Sequence, residues 1–189
     1  MNDFAALSRL IENLIRFGTI AEVDEVKARC RVKSGDILTA WRPWITLRAG
    51  EDREWNPPTV GEQVIFFSPS GLLAQGVALC GLPSDMFPAN GDREALHRTT
   101  YRDGAVVEYD SAAHHLRAIL PAGGTTELES LGGISIKGDI THQGNYTQTG
   151  NQTVTGKVTV SQDVVAAGVS LVTHVHPGDS GGTTGAPKK

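Results

Sequence analysis

Apolar and polar residues alternate along this chain at two different periods, and the change from one to the other divides it. Over residues 3–17, Phe4, Leu7, Leu10, Ile11, Leu14 and Phe17 recur at spacings of three and four, the pattern of a helix with one apolar side. Asp3 is placed to cap its start, and Gly18 stands just past its end. The spacing predicts an amphipathic N-terminal helix within 1–18, docked either on its own domain or on a partner. Beyond Gly18 the period falls to two. Runs at 19–23, 27–32, 44–48, 63–67 and 74–80 read as strands, separated by Lys33-Ser34-Gly35-Asp36, Ala49-Gly50-Glu51-Asp52, Asn56-Pro57-Pro58 and Pro69-Ser70-Gly71, all turn-forming clusters. Five short strands so punctuated predict a small, partly open OB-type barrel over 19–84.

A polar connector covers 85–97, and from about His97 a β pattern resumes with Asp103-Gly104 as a tight turn. His114 and His115 fall in a second polar turn on alternate faces, which reads as solvated turn rather than ligand set. This stretch forms a collar before a different kind of sequence. Glycine then recurs every six residues at Gly132, Gly138, Gly144, Gly150 and Gly156, and again at Gly168. Between the glycines the even positions carry Ile134, Ile136, Ile140, His142, Tyr146, Gln148, Gln152, Val154, Val158, Val160, Val164, Ala166, Ser170 and Val172, while the odd positions are mostly polar. Side chains alternate across a strand, so the even set makes one largely apolar face and the odd set a wet one. That inner face ends on His174 and His176.

One chain has no simple way to bury such a face. Hairpins at Gly144-Asn145 and Gly150-Asn151 would leave strands of only about four residues, at the short end of the usual range, and the parity does not slip across these glycines. Repeats of this kind bury their core against neighbours, and other copies of the same chain are the simplest neighbours. Closing several copies into a tube also removes the exposed edges. A flexible Gly/Thr/Gln-rich tail is the alternative, and the periodic Ile and Val count against it. His142, Gln148, Gln152 and Ser170 are polar positions on the same face, to be satisfied by hydrogen bonds, water or a small ion.

Composition fits a β-rich protein with a thin core, at 39% hydrophobic and only 6% aromatic residues. There is no apolar run long enough to cross a bilayer, and the N-terminus lacks the layout of a signal peptide, so synthesis in the cytoplasm is expected. A net charge of −4, with Trp41, Trp44 and Trp55 not interleaved with a basic run, gives no footprint for nucleic acid. Cys30 and Cys80 lie apart in apolar strand contexts, without metal-ligand or CxxC spacing, and read as free core cysteines. Their mutual contact is left open by the sequence.

RPWITLRAG and WNPPTVGEQVIFFSPSG in the barrel stretch, YRDGAVVEYD in the collar, the glycine-spaced stem and the terminal HVHPGDSGGTTGAP occur in that order. Together they resemble the baseplate assembly protein V family, the central spikes of contractile tails in P2-like phages and R-type pyocins. The resemblance covers essentially the whole chain. It implies a homotrimer: an OB-fold domain near the baseplate hub protein and tail tube, then the collar and a triple-stranded, intertwined β-helix stem over 98–176. The spike would reside at the baseplate tip of a virion or tailocin and pierce the target outer membrane. The lysozyme domain of the related spikes of T4-like phages has no counterpart here.

In such a trimer His174 and His176, two apart on an extended strand, would bring six imidazoles to the axis. Six nitrogens suit iron(II) or nickel(II) better than tetrahedral structural zinc, and the resemblance points to one Fe2+ per trimer. The other reading leaves the two histidines as uncharged axial filler. Residues 177–189 are too rich in Pro and Gly to continue a strand and are expected to fold back as a cap. Two other functions compete with the spike. A metal hydrolase needs an open coordination position and a base, and Asp179 is the one nearby acid. A tail fibre or receptor-binding protein would share the stem but end in a larger adhesin than the 13 residues after His176. Mechanics therefore outweigh catalysis, and the chain is not expected to be an enzyme.

Overall fold

The computed structural model describes residues 2–178 and 181–185. The chain separates into two compact units, Met1–Glu129 and Ser130–Lys189. The first unit is mainly β with one helix, as the periodicity predicts. Helix α1 spans Asn2–Asn13, shorter than the 3–17 pattern. Strand β1, Ile15–Asp24, begins two residues later and carries both Phe17 and Gly18, so Gly18 is not a helix stop and Asp3 lies inside the first turn rather than at the cap. The Leu14 carbonyl accepts from the Ser68 amide at 2.8 Å, after which residues 15–19 pair with residues 63–67. Five cross-strand pairs at about 0.2–1 kcal/mol each outweigh one further uncapped helical turn, whose residues differ in helix propensity by at most about 0.7 kcal/mol. Gly71, at φ 71°, lies directly against the Leu10 carbonyl, where a Cβ would collide with the helix backbone. This close approach seats α1 on the turn Pro69–Gly71.

Strands β2, Arg29–Ser34, β3, Ile37–Leu38, β4, Gln63–Phe67, and β5, Val77–Leu82, join β1 in the antiparallel order β3-β2-β1-β4-β5. The sequence places a strand at 44–48, and the structure does not form one there. Instead Arg42 bridges Cys30, and Trp44 bridges Ala78 in parallel, with Ile45 N to Ala78 O at 2.8 Å and Ala78 N to Pro43 O at 3.0 Å. This short link lies between the β2 side and β5 and closes the barrel. Pro43 has no amide to donate and so cannot extend a two-sided ladder. The core is Ile20, Cys30, Val32, Trp44, Val64, Phe66 and Ala78, with Cys80 packed against it.

Strands β6, Leu96–Thr100, β7, Val106–Asp110, and β8, His115–Ile119, make the collar, a separate three-stranded meander. The Asp103-Gly104 turn forms as expected, with Gly104 at φ 88° and the Asp103 carboxylate accepting from the Ala105 amide at 3.0 Å. His114 and His115 are both exposed. In register across the sheet, Arg98 and Arg117 flank Glu108, each at 2.7 Å from one of its oxygens, and Glu108 is only 8% exposed. The Arg98 hydrogen bond, followed by the charge of Arg117, holds its carboxyl below the usual range. A depressed carboxyl contributes stability above the unfolded-state value, about 4.3, and loses it as pH falls through the lower folded value. Urea midpoints should therefore drop between about pH 5 and pH 3, and drop less in Glu108→Gln. Parallel pH profiles for the two proteins would show that this ion triad contributes nothing.

In the second unit, residues 134–163 form neither strands nor backbone-to-backbone hydrogen bonds among the described residues. The even-numbered residues stand out in solvent: Ile136 and Ile140 are each 69% exposed, Val158 66%. Gly138, Gly144 and Gly150 adopt φ of 135°, 125° and 111°, a conformation open to glycine and costly for other residues. At these three positions the six-residue period is a backbone repeat as well as a compositional one, while Gly132 and Gly156 do not share the positive φ; neither Gly144-Asn145 nor Gly150-Asn151 forms a hairpin.

Candidate functional site

Among the described residues, the last strand pairing lies just before the histidines. Strands β9, Val165–Ala166, and β10, Val169–Ser170, pair through a two-residue turn in which Ala167 and Gly168 have φ of 47° and 83°. Gly168 is therefore a hairpin glycine, not a sixth point on the stem lattice. Ala166 faces Val169 across the turn, so the even-residue parity that holds to Val164 ends here.

Asp163 and Ser170 fasten this hairpin. Oδ1 of Asp163 accepts from the amides of Val164 at 2.8 Å and Val172 at 3.2 Å. Oγ of Ser170 accepts from the amides of Val172 at 3.1 Å and Thr173 at 3.0 Å. The Ser170 hydroxyl, with these backbone donors, holds the Asp163 carboxyl below its ordinary range. The Ser170 carbonyl receives both the amide of His174 at 3.2 Å and its Nδ1 at 2.9 Å. A carbonyl only accepts, so Nδ1 carries the proton and Nε2 keeps its lone pair.

His174 is half-buried and His176 exposed. Their rings meet edge to face, with centroids 5.1 Å apart, so the two residues singled out by sequence are brought together. The chain then turns back as its composition predicts. The amide of His176 donates to Thr184 Oγ1 at 2.9 Å, its carbonyl accepts from the Thr184 amide at 2.8 Å, and Pro177 bridges Thr183. Asp179 lies outside the described residues. Two imidazoles, one with its tautomer already fixed by a carbonyl, are suitable donors for a transition metal. Among the described residues no cluster of three or more His, Cys, Asp or Glu side chains forms within one chain.

The other candidates resolve locally. His142 lies edge-on to Tyr146 at 6.1 Å, the Tyr146 hydroxyl donates to Gln148 Oε1 at 3.1 Å, and Gln148 Nε2 donates to the Asn151 carbonyl at 2.8 Å. Gln152 is exposed. Cys30 and Cys80 are free thiols. Burial pushes the Cys30 thiol up to about 11 and, with the charges of Glu62 and Cys30 adding to it, the half-buried Cys80 thiol up to about 12, which disfavours the reactive thiolate. Trp44 packs on Trp55 and Arg31 lies over Trp41, with no basic track beside them. Sequence reasoning missed the roles of Asp163 and Ser170. The available signal was short polar side chains bracketing a small-residue turn, where they compete for backbone amides.

Comparison with known sequences finds matches toward both ends of the chain. Residues 16–82 match the family of type VI secretion system/phage-baseplate injector OB domains, and residues 168–188 match the GpV apex motif, which takes in β10, both histidines and the turn-back. Along its length the chain is similar to the spike protein of Escherichia phage P2, at 33% identity over 96% of this chain and 95% of that protein. The chain belongs to the phage baseplate spike family. It is accordingly a component of a tail baseplate.

Proposed function

We propose that three copies of this chain intertwine their stems into a stiff needle, the central spike that leads penetration of the target outer membrane when the sheath contracts. The particle would be a phage tail or an R-type bacteriocin. The supporting observation is the stem itself: over 134–163 the backbone makes no hydrogen bond to itself and the Ile and Val of one face are exposed. Backbone amides and carbonyls of a folded protein are nearly always paired. Wrapping three chains pairs them between copies and buries the even face. Axial load would then act on many hydrogen bonds at once. Light scattering should give about three times 20.1 kDa, and a monodisperse monomer sinks the proposal.

At the apex, His174 and His176 from each copy would hold one iron(II) ion, a clamp against splaying of the three ends. Six imidazole nitrogens saturate an octahedral metal, leaving no open position for substrate, so the role is mechanical rather than catalytic. Toward the N-terminus, Phe4 and Leu7 of α1 are 83% and 54% exposed, while Leu10 is half-buried and its backbone lies against Gly71 of the barrel turn. The exposed pair would dock on the baseplate hub protein or tail tube. Phe4→Asp with Leu7→Asp should leave soluble trimers that do not enter particles; normal incorporation would assign this face no docking role.

A further inference from the structure

We propose that Asp163 and the Ser170 hydroxyl are positioning residues for the His174 imidazole, fixing its tautomer so that Nε2 is the nitrogen offered to a metal. This rests on reading the apex as a metal site, but its geometry belongs to the single chain. The Ser170 carbonyl fixes the ring through Nδ1 at 2.9 Å. That carbonyl is aimed by the turn 170–174, which two side chains hold together with the backbone bonds Leu171 N to Val164 O at 3.0 Å and His174 N to Ser170 O at 3.2 Å. Ser170 Oγ takes the amides of Val172 and Thr173, and Asp163 Oδ1, from the far side of the hairpin, also takes that of Val172. Without them these amides lose their partners, the turn loosens and Nδ1 loses its acceptor. The ring is then free to exchange tautomers and rotate, and a ligand that must be reoriented for each binding event holds metal less well. Partners that orient a ligating histidine typically contribute 10–100-fold in metal affinity.

The test uses the full-length chain with 15N-labelled histidine, His174 being assigned by its loss in His174→Ala. In metal-stripped protein, His174 should be the Nδ1–H tautomer, and Ser170→Ala and Asp163→Ala should shift it toward Nε2–H. In protein as purified, the same variants should surrender iron to a ferrous chelator about 10–100-fold faster, with trimer mass unchanged. Ser170→Thr, which keeps the hydroxyl, should restore both behaviours. An Nε2–H tautomer in the parent protein, or an unchanged tautomer in Ser170→Ala, overturns the proposal. Should Asp163→Ala fail to assemble, Ser170→Ala alone decides. If the parent protein carries no metal yet the tautomer still shifts in the variants, the positioning role stands and the metal reading of the apex falls.

Discussion

Val158→Asp is expected to leave the chain monomeric or aggregated, with no trimer at micromolar concentration, whereas Thr159→Asp one residue away assembles normally. Val158 is 66% exposed in the single chain and lies on the even face with Val154 and Val160. Burying what remains exposed of each such side chain contributes about 1 kcal/mol, from about 1.5–3 kcal/mol for complete burial. In the proposed trimer the gain would come threefold at every position, which would make a long thin stem strong in aggregate. A carboxylate at 158 reverses the sign. Three like charges would meet on the axis, each losing hydration at an effective penalty of several kcal/mol, against a total stability for ordinary domains of about 5–15 kcal/mol. Thr159 belongs to the wet face, so its aspartate keeps its water. Light scattering on the two variants reads the alternation directly; equal assembly of both would show that the even face is not the buried one.

Much of this organisation is legible in the residues, and the misses have a common cause. The barrel, the collar turn at Asp103-Gly104, the hexad glycines, the turn-back after Pro177 and the proximity of His174 to His176 each follow from local pattern or special backbone chemistry. Three other features depend on partners distant in sequence. Phe17 satisfies both a helical and a strand period, and only the pairing of residues 15–19 with residues 63–67 decides for the strand. The link that closes the barrel sits at Arg42 and Trp44, because the proline between them interrupts the ladder that the apolar run over 44–48 suggests. Gly168 fits the six-residue lattice in number yet turns a hairpin, since Ala167 shares its positive φ and Asp163 and Ser170 tie the two arms. Spacing alone does not separate a lattice glycine from a turn glycine. The polar residues that capture neighbouring amides do, and they sit on both sides of this one.

The same tie leads to the second large effect. His174→Ala should strip the metal from the trimer without dissociating it. One imidazole from each chain would remain, three nitrogens in place of six, and the loss falls on the ring whose Nε2 is held ready by the Ser170 carbonyl. The stem contacts that hold three copies together would run from Ile134 to Val164, upstream of the hairpin, so neither mass nor thermal midpoint should move appreciably. The backbone of the turn-back is also independent of the ring, being tied through His176, Pro177, Thr183 and Thr184. The parent trimer should therefore contain about one iron and the variant less than about a tenth of one, with weakened killing or infection by particles carrying it. Elemental analysis decides: stoichiometric metal persisting in His174→Ala would place the ion elsewhere in the stem, and its absence from the parent protein, with zinc and nickel absent too, would reduce both histidines to packing at the tip.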